Sequence, residues 1–159
     1  MSTISGLPAH PLLVHFVVVL APLTAILAIL CAVWPTARRR FVWLVAVLAG
    51  VTAVLTPITA EAGEWLYERT PDSPFLDTHE HLGETMIYVA IGLVVAAGLL
   101  AFLHVRTQRD KHSAVLSAIV AVAVVLIGVA AMIQTYRVGE SGARSVWNEA
   151  GTTAPAEGG

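Results

Sequence analysis

Four apolar runs, each long enough to cross a bilayer and each without Asp, Glu, Lys or Arg in its core, limit this chain more than anything else in it. They cover residues 11–34, 41–60, 78–104 and 115–136. A helical span needs about 20 mostly apolar residues to bridge about 30 Å of hydrocarbon. Hydrophobic residues make up 57% of the chain and charged residues 13%, against about 25% charged in a soluble domain. With a mean hydropathy of +0.76, the chain cannot cover a core of its own in water. Lipid has to be the solvent.

The architecture that follows is all-α: a four-helix transmembrane bundle in one domain over residues 1–148, with short loops and so antiparallel neighbours. Residues 149–159, which end in the small and polar GTTAPAEGG, read as a disordered tail. Pro11 suits the first position of a helix, and Pro57 predicts a kink late in the second span. No Lys or Arg precedes the first run, and no small-residue cleavage site follows it closely, so it reads as a permanent span rather than a removable signal. Cys31, inside that run, has no partner for an intrachain disulfide and reads as a small buried hydrophobe.

The loops carry the orientation. Arg38, Arg39 and Arg40 fill the first connection, and Arg106, Arg109 and Lys111 the third. The second holds Arg69 among Glu61, Glu64, Glu68, Asp72, Asp77 and Glu80. The positive-inside rule then places both termini and the second loop outside, as N-out/C-out in a bacterial cell membrane. Trp34, Trp43, Trp65 and Tyr136 fall near the predicted boundaries, as interfacial aromatics do. The partner is the lipid bilayer. A net charge of −2 and the absence of any basic stripe exclude nucleic acid. With no nucleophile–base arrangement, Gly-rich phosphate loop or zincin motif, an enzyme with a substrate of its own is the least supported class.

Four of the six histidines sit at the outer ends of the odd-numbered spans: His10 and His15 on the first, His79 and His81 on the third. Asp77 to Glu80 resembles a capped helix start. A helix from there puts His81 on one face with Glu84, Thr85 and Tyr88, and that polar stripe is expected to face the bundle rather than lipid. His79 points about 200° away from His81, so His81 is the expected inward residue; His15, one turn into the first helix, is its expected counterpart. Glu61, Glu64 and Glu68 share an arc of about 60°, with Thr52, Thr56 and Thr59 as a separate stripe below.

Three readings stand open for this cluster. One is a hydrogen-bonded polar cap with a purely structural role. Another is ligation of haem b or a divalent metal, with His15 and His81 as preferred ligands, His10 and His79 as second choices and Glu64 as a carboxylate neighbour. The third is proton or ion handling. His104 and His112, beside the basic third loop, read as solvated loop residues. There is also an internal echo: each half runs from outer histidines through a span, a basic loop and a second span to Gly63-Glu64-Trp65 or Gly139-Glu140. Hairpin duplication and chance similarity both account for it.

The opening Gly6-Leu7-Pro8-Ala9-His10-Pro11-Leu12-Leu13-Val14-His15-Phe16 resembles the H-P-x-x-V-H-F start of a family of bacterial four-span membrane proteins, the domain of unknown function 2231. The Gly/Glu end of the second span, the histidine opening of the third and Tyr136 through Ala143 to Trp147 are similar to its later landmarks. The family often has Pro-Ile after the Phe, where Val17-Val18 stand here. The resemblance implies a four-span domain without an assigned activity. Because members of such families occur joined to Rieske-type or cytochrome-like domains, it also implies a redox setting. The chain has no Cys-His pairs for an iron–sulfur centre, so a redox partner would be a separate protein or another membrane subunit. A non-catalytic accessory or assembly subunit is the alternative.

Overall fold

The computed structural model describes the main chain of residues 3–4, 7–69, 74–109 and 113–152, and the side chains of 10–69, 74–109 and 113–145. Two short strands, β1 (Thr3–Ile4) and β2 (Leu7–Pro8), pair antiparallel ahead of five helices. The helices are α1 (Ala9–Val33), α2 (Pro35–Tyr67), α3 (Pro74–Glu84), α4 (Met86–Gln108) and α5 (Ala114–Thr152). Four stretches are long and apolar enough to cross a membrane: His10–Val33, Pro35–Tyr67, Pro74–Gln108 and Ala114–Ser145. Val19, Val47 and Leu126 are 61%, 62% and 66% exposed, an outer surface that only lipid tails solvate well.

The elements depart from the expected boundaries in physically readable ways. The basic segment at 35–40 is the first turn of α2 rather than a loop. Trp34 alone separates α1 from α2, with φ −123° and ψ 103°, because a residue before proline is pushed out of the helical region. α2 stays helical through Pro57, and its 33 residues span about 50 Å, well beyond the hydrocarbon. The third span is two helices, broken at Thr85. Asp77 does not cap a helix start: α3 already begins at Pro74, and Asp77 instead accepts from the Tyr67 hydroxyl at 2.7 Å. α5 is helical to Thr152, past the point where the tail was expected to begin, and residues 153–159 of that tail lie outside the described ones.

The bundle is four-sided. α1 packs against α2 and α5, α4 packs against the same two, and α1 meets α4 across the diagonal. Buried alanines at Ala21, Ala25, Ala28, Ala90 and Ala97 let the backbones approach closely, which is how helices associate where lipid removes the hydrophobic drive. The two hairpins, α1–α2 and α3–α5, bury equivalent positions. At one constant shift Val17, Ala21, Thr24, Ala28 and Cys31 match Met86, Ala90, Leu93, Ala97 and Leu100, all buried. At another, Val45, Thr52, Thr56, Thr59 and Ala62 match Val124, Ala131, Thr135, Val138 and Ser141, again all buried. That pattern is an internal repeat of the hairpin, with α1 equivalent to α4 and α2 to α5. The repeated end segments are Glu61-Ala62-Gly63 and Glu140-Ser141-Gly142, which corrects the alignment on Gly139.

Candidate functional site

His10, in the first turn of α1, lies in a groove on the far end of α2. The groove exists because position 63 is glycine: a Cβ there would stand 2.7 Å from His10 Cε1 and 2.9 Å from Nδ1. From this seat His10 Nδ1 reaches the Thr59 carbonyl at 2.9 Å. A carbonyl only accepts, so Nδ1 carries the proton and a neutral ring keeps its lone pair on Nε2.

His79 repeats the arrangement from α3 onto α5. A Cβ at Gly142 would come within 2.9 Å of its Cε1. Its Nδ1 lies 3.0 Å from Ser141 Oγ. The Ser141 hydroxyl gives its own proton to the Val138 carbonyl at 2.9 Å, so it accepts from His79, which is thereby held in the same tautomer. Among the described residues no hydrogen bond reaches Nε2 of either ring. The two rings then meet, with centroids 6.3 Å apart and planes 76° to one another.

The other two histidines of this end go elsewhere. His15 is exposed, and its Nδ1 donates to the Pro11 carbonyl of its own helix. The side chain of His81 is 82% exposed and lies 3.8 Å from Glu84 on its own helix. Both inward expectations are corrected here, and for one reason. Val17 and Ala21 follow His10 on the buried face of α1, and Leu82 and Met86 follow His79 toward the core, so packing turns those faces in and His15 and His81 out. The expected stripe is split by the helix break: Tyr88 is 73% exposed, while Thr85 turns inward to accept from Gln134 Nε2 at 2.5 Å.

Glu64 is exposed with Glu61 and Glu68 on the outer face of α2. With Asp77 and Glu84 it lies within electrostatic range of Glu80, an acidic rim beside the histidines that attracts cations. Among the described residues no group of three or more His, Cys, Asp and Glu could hold a metal, so His15, His81 and Glu64 are not assembled as one ligand set. What the site presents is two imidazoles. The threonine stripe is buried, with Thr52, Thr56 and Thr59 each bonding the carbonyl four residues back in α2.

At the arginine end His104 is not a solvated loop residue. It is buried, 2.7 Å from Gln108 Nε2, with Trp43 edge-on to its ring at 6.4 Å. His112 lies outside the described residues.

Thr59, Gly63, Ser141 and Gly142 were not singled out from the sequence as partners of the histidines. The recurrence of Glu, a small residue and Gly at the ends of α2 and α5 is the signal that points to them. No curated protein and no solved structure matches this chain. A family model described as "Predicted membrane protein (DUF2231)" matches residues 6–155. The four membrane-length apolar helices agree with that description, and the chain belongs to the DUF2231 family of predicted membrane proteins.

Proposed function

We propose that this integral membrane protein holds a transition-metal centre, a free ion or the iron of haem b, between Nε2 of His10 and Nε2 of His79. The support is the pair itself: equivalent rings of two hairpins, each fixed through Nδ1, with centroids 6.3 Å apart. An ion bound by two imidazole nitrogens at about 2.0–2.1 Å each puts the ring centroids about 6 Å apart. Ligating histidines are oriented in this way, by a hydrogen bond from the other ring nitrogen. Imidazole suits Zn, Cu, Fe and Ni, and two axial histidines suit a haem used for electron transfer. Such a centre works with a separate redox protein or another membrane subunit. The arginine distribution supports placing the histidine end outside the cytoplasmic membrane of a bacterium.

The test is an absorption spectrum with elemental analysis on detergent-purified protein from haem-supplemented cells. A stoichiometric metal, with a Soret band if it is haem, is expected in the wild type and in His15→Ala and His81→Ala. His10→Ala and His79→Ala should each lose it. Wild-type protein without stoichiometric metal or chromophore refutes the centre.

A structural clasp is the second reading, favoured by the same Nδ1 bonds, which tie α1 to α2 and α3 to α5. It suits a non-catalytic accessory subunit. It predicts that both histidine variants lower thermal stability in protein that binds no metal.

A further inference from the structure

Arg38, at the end of the bundle opposite the histidines, is only 5% exposed. Its backbone N–H donates to the Trp34 carbonyl at 3.0 Å, but among the described residues its side chain makes no hydrogen bond and no ion pair. The arginines at the other end differ: Arg69 lies 3.5 Å from Glu68 and Arg144 lies 2.6 Å from Glu140. The ionisable groups that act on Arg38 are the thiol of Cys31 and the like charge of Arg39. Cys31 is sealed from solvent, and a buried structural thiol is inert. Among the described residues no anion compensates this guanidinium.

Its position adds to the imbalance. Arg38 stands in the first turn of α2, which has no acidic residue, no side-chain cap from Trp34, and Pro35 at its start. The unpaired N–H groups and the positive end of the helix dipole therefore face the same region as the arginine. Among the described residues no side-chain nitrogen is left both sealed and unpartnered, so the guanidinium keeps access to the surface while its stem is packed. Trp34 and Trp43, 56% and 59% exposed, mark the headgroup level at this end. A guanidinium held at the surface by its packed stem and without a counter-charge, beside a helix N-terminus, is a ready anion site.

We propose that Arg38 and the first turn of α2 bind a phosphate-bearing anion, and that its source is the headgroup of an anionic membrane lipid. The planar guanidinium matches phosphate oxygens in bidentate fashion. Arg38 stands one helical turn from Trp34, and exposed tryptophans at span ends favour the headgroup level. This site is independent of the histidine pair.

Native mass spectrometry of the full chain in detergent tests it, with phosphatidylglycerol, phosphatidylcholine and inorganic phosphate as separate probes. The wild type is expected to retain one phosphatidylglycerol per chain and no phosphatidylcholine under the same conditions. Arg38→Gln should reduce that retention at least tenfold. Arg40→Gln, which removes an equal charge from an exposed position, should leave it unchanged. Arg38→Lys keeps the charge and loses the planar fork; it gives a well-folded comparison if the glutamine variant does not fold, with intermediate retention expected. Equal retention by the wild type and the Arg38 variants overturns the site, as does an equal loss in Arg40→Gln. Stabilisation of the wild type alone by inorganic phosphate, without lipid retention, overturns the lipid source.

Discussion

Gly63 and Gly142 do similar work in the two halves: each leaves the space that a histidine ring fills. Gly63→Ala forces a Cβ against the His10 ring, 2.7 Å from Cε1, and the side chain has to leave its seat or push α1 away. The expected loss is about 1–3 kcal/mol, as for other overpacked positions, measured by thermal or denaturant unfolding in detergent. Gly98→Ala is the control, since nothing lies within 4 Å of its built Cβ, and it should gain up to about 1 kcal/mol from helix propensity. Ser141 acts on His79 through the tautomer. Ser141→Ala frees the ring to flip or to place its proton on Nε2, while the helix around it stays intact. If the pair binds a metal, affinity should fall about 10–100-fold, the usual effect of losing a hydrogen bond that orients a ligand. A competition titration reads this directly, and an unchanged constant excludes the positioning role. The histidines, the acidic neighbours and the Gly/Glu ends were legible in the sequence as a polar cluster at one end. Which imidazoles pair was not, because each helix end carries two histidines separated by a rotation that spacing alone does not orient.

The break at Thr85 shows how an element can be misjudged. Residues 78–104 form an apolar run with a polar start, in which Gly83 is only a weak helix-stop signal. The interruption is tertiary: Gln134 of α5 donates to Thr85 Oγ1 at 2.5 Å and approaches the Leu82 carbonyl at 3.5 Å. Thr85 in turn donates to the Leu82 carbonyl at 2.6 Å. α3 is thereby turned so that His79 packs on α5. Gln134→Leu should cost about 0.6 kcal/mol and no more than about 1.7, the average and the maximum measured for interhelical hydrogen bonds in a membrane protein, in an unfolding titration in mixed micelles. The sharp turn at Trp34 is the opposite case. The Trp34-Pro35 dipeptide marks it locally, and only the reading of the basic segment as a loop hid it.

The orientation of the bundle in the bilayer has its own test. In a Cys31→Ser background, Glu68→Cys and Ala114→Cys occupy exposed positions at the histidine and arginine ends. A membrane-impermeant thiol reagent applied to intact cells should label the first and not the second; the reverse pattern inverts the proposed topology. The number of membrane-length helices was determined by the sequence alone. Lipid makes unsatisfied backbone so unfavourable that any 20-residue apolar window becomes a helix whatever its neighbours do. The likeness of the two halves was also visible, though its register was not, since apolar hairpins align at many offsets. What only the tertiary structure decided is the rotation of each helix about its axis. In water a polar face marks the outside. In lipid both the core side and the outer side of α1 and α4 are apolar, so periodicity no longer says which way a histidine points. Small residues packing at Ala21 and Ala90 settle that rotation, and with it the meeting of His10 and His79.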